Sequence, residues 1–105
     1  MLLDVNNVYV NALNHGFHPE RFIDALPLER VRQIHVAGHT PMGDTVIDTH
    51  IGPTPDPVWE LYEYTLKKLG RVPPTLIEWD QDVPSLSVML REVERARAIV
   101  AKVRT

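Results

Sequence analysis

Residues 31–70 read VRQIHVAGHTPMGDTVIDTHIGPTPDPVWELYEYTLKKLG, and their order of apolar run, polar loop and amphipathic stretch decides the fold class. Val31 to Ala37 predicts a strand, and a long loop follows from Gly38 to Pro55. A helix then opens with Asp56 as N-cap and Pro57 in the first turn. It carries Trp59, Tyr62, Leu66 and Leu69 on one stripe and stops at Gly70.

The same theme recurs on both sides. Downstream, Thr75 to Trp79 predicts a strand, bounded by Pro73 and Pro74 before it and by Asp80 to Pro84 after it. A helix is expected from about Ser85, with Leu86, Met89, Leu90, Val93, Ala96, Val100 and Val103 at helical spacing and Arg91, Arg95, Arg97 and Lys102 on the wet side. Upstream, Met1 to Asp4 predicts a strand, Asn6 to Gly16 a polar asparagine-rich loop, and a helix opens at Pro19, runs through Phe22, Ile23 and Leu26 and ends at Pro27. Strand alternating with helix points to βα units around a parallel sheet. Three such units, at roughly residues 1–28, 29–70 and 71–105, form a single segment of α/β class. Their strand and helix sequences do not resemble one another, which argues against a solenoid.

Bulk properties exclude several function classes. With 44% hydrophobic and 24% charged residues, the 105-residue chain has the composition of one folded domain rather than of a disordered tail. A net charge of −3, from 11 basic and 14 acidic side chains, gives no positive stripe for nucleic acid. The absence of cysteine rules out disulfides, thiolate metal sites and a cysteine nucleophile, so any metal must be held by oxygen and imidazole nitrogen. The opening MLLDVNNVYVNALN has neither a basic leader nor a long apolar run, so neither a signal peptide nor a membrane anchor is expected and the cytoplasm is the expected location.

Chemistry concentrates where the expected strands end: Asp4 with Asn6 and Asn7, His35 and His39, Glu78 and Asp80. In a parallel barrel the carboxyl ends of the strands converge on one mouth, where ligands bind. Parity agrees, because side chains alternate with period two: His35, Ala37 and His39 share one face, as do Leu76, Glu78 and Asp80. The loop adds Asp48 and His50 within VIDTHIGP. Asp4, His35, Asp48, His50 and Glu78 together offer three carboxylates and two imidazoles, a set that suits iron, manganese or zinc. Asp4 and Glu78 border apolar residues with no Lys or Arg at a strand end, and a multivalent cation would offset that charge.

Structural readings stand beside these. An aspartate at a strand end commonly caps a helix or forms a turn, and His35 alone would serve equally as a hydrogen-bonded core histidine. His15 and His18 read as structural or solvated groups, Asp56 as a cap, and Asp80 and Asp82 as turn and cap residues. Arg91, Glu92, Glu94, Arg95 and Arg97 are expected to form a solvated helix face, and Trp59 with Tyr62 to pack in the core.

Four stretches, LLDVNNVYVNALNHGF, IHVAGH, IDTHIGPTPDPVWELY and TLIEWDQDVPSL, resemble in order and spacing the closing part of the multinuclear non-haem iron-dependent oxidative enzymes, a family typified by the methanobactin biosynthesis oxidase. The resemblance covers nearly the whole chain. It implies a (β/α)8 TIM barrel of the xylose-isomerase-like kind, with two or three iron ions at its mouth. Such an enzyme uses dioxygen to modify side chains, often cysteines, of a ribosomally made precursor peptide with the help of a peptide-recognition partner protein. Carried over by motif, Asp4, His35, Asp48, His50 and Glu78 look like metal ligands, while Asn7 and His39 would stand behind them or face the substrate. A complete barrel needs eight units and about 250 residues, whereas this chain supplies three, expected to be the last three. The N-terminal barrel half would bring the remaining ligands, and this chain alone is expected to be inactive. Two other readings stay open on the residues themselves: a divalent-metal isomerase or phosphodiesterase on the same barrel type, and a truncated, non-catalytic remnant.

Overall fold

The structure, a computed structural model, describes residues 1–42, 45–47, 49, 52–79 and 85–104, with side chains at 41, 42 and 45–47 left aside. In chain order the elements are β1 (Leu2–Asp4), α1 (Val5–His15), α2 (Pro19–Asp24), a 3-10 turn (Leu28–Arg30), β2 (Gln33–Ala37), β3 (Thr40–Met42), β4 (Thr45–Ile47), α3 (Asp56–Leu69), β5 (Thr75–Glu78) and α4 (Leu86–Arg104). The strands β1, β2 and β5 form one parallel sheet in that order, and β3 and β4 form a separate antiparallel pair. The parallel α/β layer matches the alternation read from the sequence.

Between strand and helix, α1 departs most from expectation. Residues 6–15 of the expected loop are helical, with Gly16 as the C-cap, although asparagine competes with helix by bonding its own backbone. Three features outweigh that preference. Val5, Val8 and Ala12 are buried at helical spacing. Asp4 caps the first turn, its Oδ1 accepting from the Asn7 backbone N–H at 2.9 Å. At the other end Gly16 adopts φ 71°, a left-handed conformation that favours glycine, and its N–H reaches Ala12 O at 2.9 Å. Asn11 turns its amide back onto Asn7 O at 2.9 Å, so the polar side chains support the helix they would otherwise disfavour.

The loop expected over 38–55 also holds structure, since β3 and β4 pair Thr40 with Ile47 and Met42 with Thr45. Strands of three residues are too short for alternation to announce them.

Helix α3 supplies most of the core. Val58, Trp59, Leu61, Tyr62 and Leu66 are buried against Leu3, Ile34 and Val36 of the sheet and against Val5, Val8 and Ile23. Trp59 and Tyr62 meet edge to face, with ring centroids 5.8 Å apart. The helix begins one residue earlier than capping by Asp56 would require: Pro55 holds the N-cap position, and Asp56 is already helical, its carboxylate pairing with Arg95 at 2.6 Å. Gly70, at φ 70°, terminates the helix as expected.

Glu92 corrects the expectation of a wholly solvated α4 face. It is only 7% exposed, and its Oε1 accepts from the buried Thr54 N–H at 2.5 Å. One turn further on, Arg95 reaches Asp56, so α4 grips the start of α3 at two points. Substituting Glu92→Ala is expected to cost about 1.5–3 kcal/mol, because it strands a buried donor that had a charged acceptor. Glu92→Gln keeps an acceptor and should recover more than half of that. Denaturant unfolding checks this; an alanine variant within about 0.5 kcal/mol of the native protein, the range of neutral surface changes, would show that the bond contributes little.

The helices cover one sheet face, where Leu3, Ile34 and Val36 are buried. The pairing register puts Leu2, Asp4, Gln33, His35, Ala37, Leu76 and Glu78 on the other. There Leu2 is 51% and Leu76 47% exposed, unusual for a parallel sheet, which normally has both faces covered.

Candidate metal centre

The site is assembled by strand parity. Asp4 closes β1 and stands opposite His35 of β2, and Ala37, two residues on, stands opposite Glu78, which closes β5. Three groups from three adjacent strands therefore share the open face near the carboxyl ends. The His35 ring contacts the Glu78 carboxylate through Nδ1 and Oε1, both side chains being largely buried. Asp4 serves as the cap of α1, so the capping role weighed for it is real.

Behind this rim lies a second constellation. Asn6 is fully buried; its Nδ2 donates to Gly38 O at 2.9 Å, and its Oδ1 meets His39 Nδ1 at 3.0 Å. His39 also stacks on Tyr9 with centroids 5.6 Å apart. Burial, with a smaller contribution from the Glu60 carboxylate, pushes the Tyr9 phenol above its ordinary pKa, so the ring is neutral at physiological pH. Asn7, the asparagine singled out in the sequence, is exposed and gives its backbone N–H to Asp4. Its neighbour Asn6 is the buried one of the pair, and the sequence signal for that is its place beside Val5 and Val8 on the buried stripe of a helix.

Asp48 and His50 lie outside the described residues, as do Asp80 and Asp82. Thr49, between the first two, is described: its Oγ1 is 2.9 Å from Thr40 Oγ1. Since Thr40 follows His39, that bond ties Thr49 to the segment just beyond β2. Among the described residues no three His, Asp or Glu side chains are grouped closely enough to hold one ion together. His15 and His18 are exposed and far along the chain from the rim, as expected. None of the described helices is long and apolar enough to cross a membrane.

The class so defined is a parallel α/β sheet with imidazole and carboxylate groups at the carboxyl ends of its strands, where α/β proteins bind ligands. Residues 1–101 match the family model described as RiPP precursor modification enzyme MbnB/TglH/ChrH, and the chain belongs to that family. The resemblance carried by the four motifs is thereby borne out. Similar relatives include a UPF0276 protein of Acaryochloris marina, 50% identical over 96 residues, covering 91% of this chain and 34% of the relative. A UPF0276 protein of Anaeromyxobacter sp. is 50% identical over 101 residues, with 96% and 35% covered, and one of Caulobacter vibrioides 49% identical over 98 residues, with 93% and 35% covered. The chain thus spans about a third of the length of these curated relatives.

Proposed function

We propose that this chain forms the closing three βα units of a (β/α)8 barrel that oxidatively modifies a ribosomally made precursor peptide, with iron as its metal and cysteine as the modified side chain. The observation that carries the reading is the placement of Asp4, His35 and Glu78 on one uncovered sheet face at the strand ends. In a closed barrel that face is the interior, and its carboxyl end is the mouth. The barrel also explains why Leu2 and Leu76 stay exposed here. An apolar groove of about 640 Å³ between β5 and α4, lined by Val72, Leu76, Val93 and Val100, offers further packing surface at the edge strand. Three units of eight agree with a chain about a third as long as its relatives.

The donor set fits a cation of the iron type. Carboxylate oxygen and imidazole nitrogen without thiolate suit divalent iron, manganese and zinc. In this reading Asp4, His35, Asp48, His50 and Glu78 hold the metal, with other ligands contributed by the rest of the barrel. Bound iron supplies the activation of dioxygen. What the chain's own residues do is positional. Glu78 holds the His35 ring at Nδ1, as a carboxylate orients an imidazole for a cation. Asp4 is fixed through its cap of α1. Peptide recognition is assigned to a partner protein, and the location to the cytoplasm.

Joining this chain to the complementary part of the Acaryochloris relative, and comparing it with the chain alone, tests the reading. The joined protein is expected to hold two or three iron ions and to consume dioxygen when given a cysteine-containing precursor peptide, while the chain alone holds iron substoichiometrically. Equal, stoichiometric iron in both would overturn the shared-site proposal. Turnover without dioxygen would place the protein among Lewis-acid enzymes instead.

A further inference from the structure

Resting on the barrel reading, we propose that the outer edge of β5, the groove beside it and the outer stripe of α4 form one docking surface for a βα unit of the complementary barrel part, a strand parallel to β5 followed by a helix with acidic side chains, and that this surface holds the unit without a covalent link. The position follows from how each helix leans. α1 follows β1 and packs on β2. α3 follows β2 and reaches forward to β5, where Tyr62 Oη meets Thr75 Oγ1 at 2.8 Å. By the same offset α4, which follows β5, leans over the place of a next strand, and among the described residues β5 has only β2 as a neighbour. The groove of about 640 Å³, walled by Ile77 of β5 and by Val93 and Val100 of α4, is the space for that strand's helix-facing side chains.

Helix α4 carries the rest of the argument. A helix in a folded protein is stabilised mainly by covering its amphipathic face, yet of the 19 residues of α4 only Glu92 is buried. On one side Ile99 and Val103 pack against the core. Helical spacing puts a second stripe, Leu86, Leu90, Val93, Arg97 and Arg104, roughly a third of a turn away. There Leu86 is 74% and Leu90 49% exposed, and both arginines border the groove. Among the described residues no ion pair holds Arg97 or Arg104. The matching surface therefore has apolar side chains for the leucines and carboxylates for the guanidinium groups. A symmetric second copy of this chain would set arginines among arginines, a like-charge contact. A small apolar ligand in the groove would leave Leu86 and the strand edge uncovered. The chain spans about a third of the length of its relatives, so the other two thirds have ample length to supply a βα unit.

Association is read without iron or turnover, which keeps a failure of this proposal distinct from a failure of the oxidative assignment. This chain and the complementary part of the Acaryochloris relative, produced together as separate polypeptides and purified free of metal, are expected to form a one-to-one complex in analytical ultracentrifugation. Leu90→Glu should weaken the complex by about 30-fold or more, the scale of an interface anchor. Arg97→Glu combined with Arg104→Glu should weaken it about 10-fold, with the difference shrinking as salt rises; lysine at both positions should restore most of the affinity. Each of these positions is exposed, so circular dichroism should stay native, and should Leu90→Glu not fold, the arginine pair decides. Affinities of the glutamate variants within twofold of the native value would overturn the proposal. So would the absence of a complex, or a symmetric dimer of this chain that persists with the complementary part present.

Discussion

Replacing His35 with alanine is expected to empty the site of most of its iron and to lower the rate of peptide modification by more than about 100-fold, the upper range for losing even an outer partner of a ligand. The expectation follows from where His35 stands. It lies opposite Asp4 in one neighbouring strand, and its ring contacts Glu78 of the other. Its removal leaves Glu78 a carboxylate without the imidazole it faces. The fold should tolerate the change: His35 is on the uncovered face, while the core of β2 is made by Ile34 and Val36 on the other side. Stability is expected to fall by about 1–3 kcal/mol, since the largely buried Glu78 carboxylate loses the imidazole it contacts, while circular dichroism should be unchanged. Metal analysis and dioxygen uptake measure the loss. Full iron with full activity in a folded His35→Ala protein would mean that His35 is a structural histidine, the reading weighed against it from the sequence. Glu78→Ala should behave in the same way.

The largest expected effect on stability belongs to Trp59→Ala, at about 3–5 kcal/mol. Trp59 is 1% exposed, packs edge to face on Tyr62, and lies under the Arg95 guanidinium, which is 6.0 Å from the ring centroid. Truncation removes the largest side chain of the core and unseats the point where α4 grips α3. Its indole Nε1 is buried without a hydrogen-bond partner among the described residues. Trp59→Phe therefore sheds an unsatisfied donor while keeping an aromatic body, and should cost less than half as much as alanine. Against a total of about 0.05–0.15 kcal/mol per residue, the alanine loss is a large share of what one domain's core supplies. Thermal unfolding is the measurement. Similar midpoints for the alanine and native proteins would show that the α3 face is not the organising core.

Much of this architecture was legible because it depends on local pattern. The three parallel strands begin and end within two residues of their expected limits, and α3 stops at Gly70 because only glycine accepts φ 70° there without strain. Parity put Asp4, His35 and Glu78 on strand ends, and period-two alternation is a property of the backbone itself. What escaped notice depended on partners far along the chain. Helix α1 was hidden by asparagines whose composition suggests a loop, though Val5, Val8 and Ala12 carried the helical spacing. Glu92 looked like one charge among several on α4. Only the arrival of Thr54, 38 residues earlier, makes it a buried acceptor. Asn6 stood beside Val5 and Val8 on the buried stripe, but its bond to His39 gave no signal, since side-chain bonds across 33 residues leave no periodic trace.

The central claim, that groups on separate strands gather at one rim to grip iron, is tested most directly by anomalous diffraction at the iron edge on crystals of the joined, iron-loaded protein. The account predicts iron peaks within bonding distance of His35 and Glu78, with Asp4 in the same cluster. Iron elsewhere on the molecule, with the His35–Glu78 contact intact and no anomalous density beside it, would contradict it.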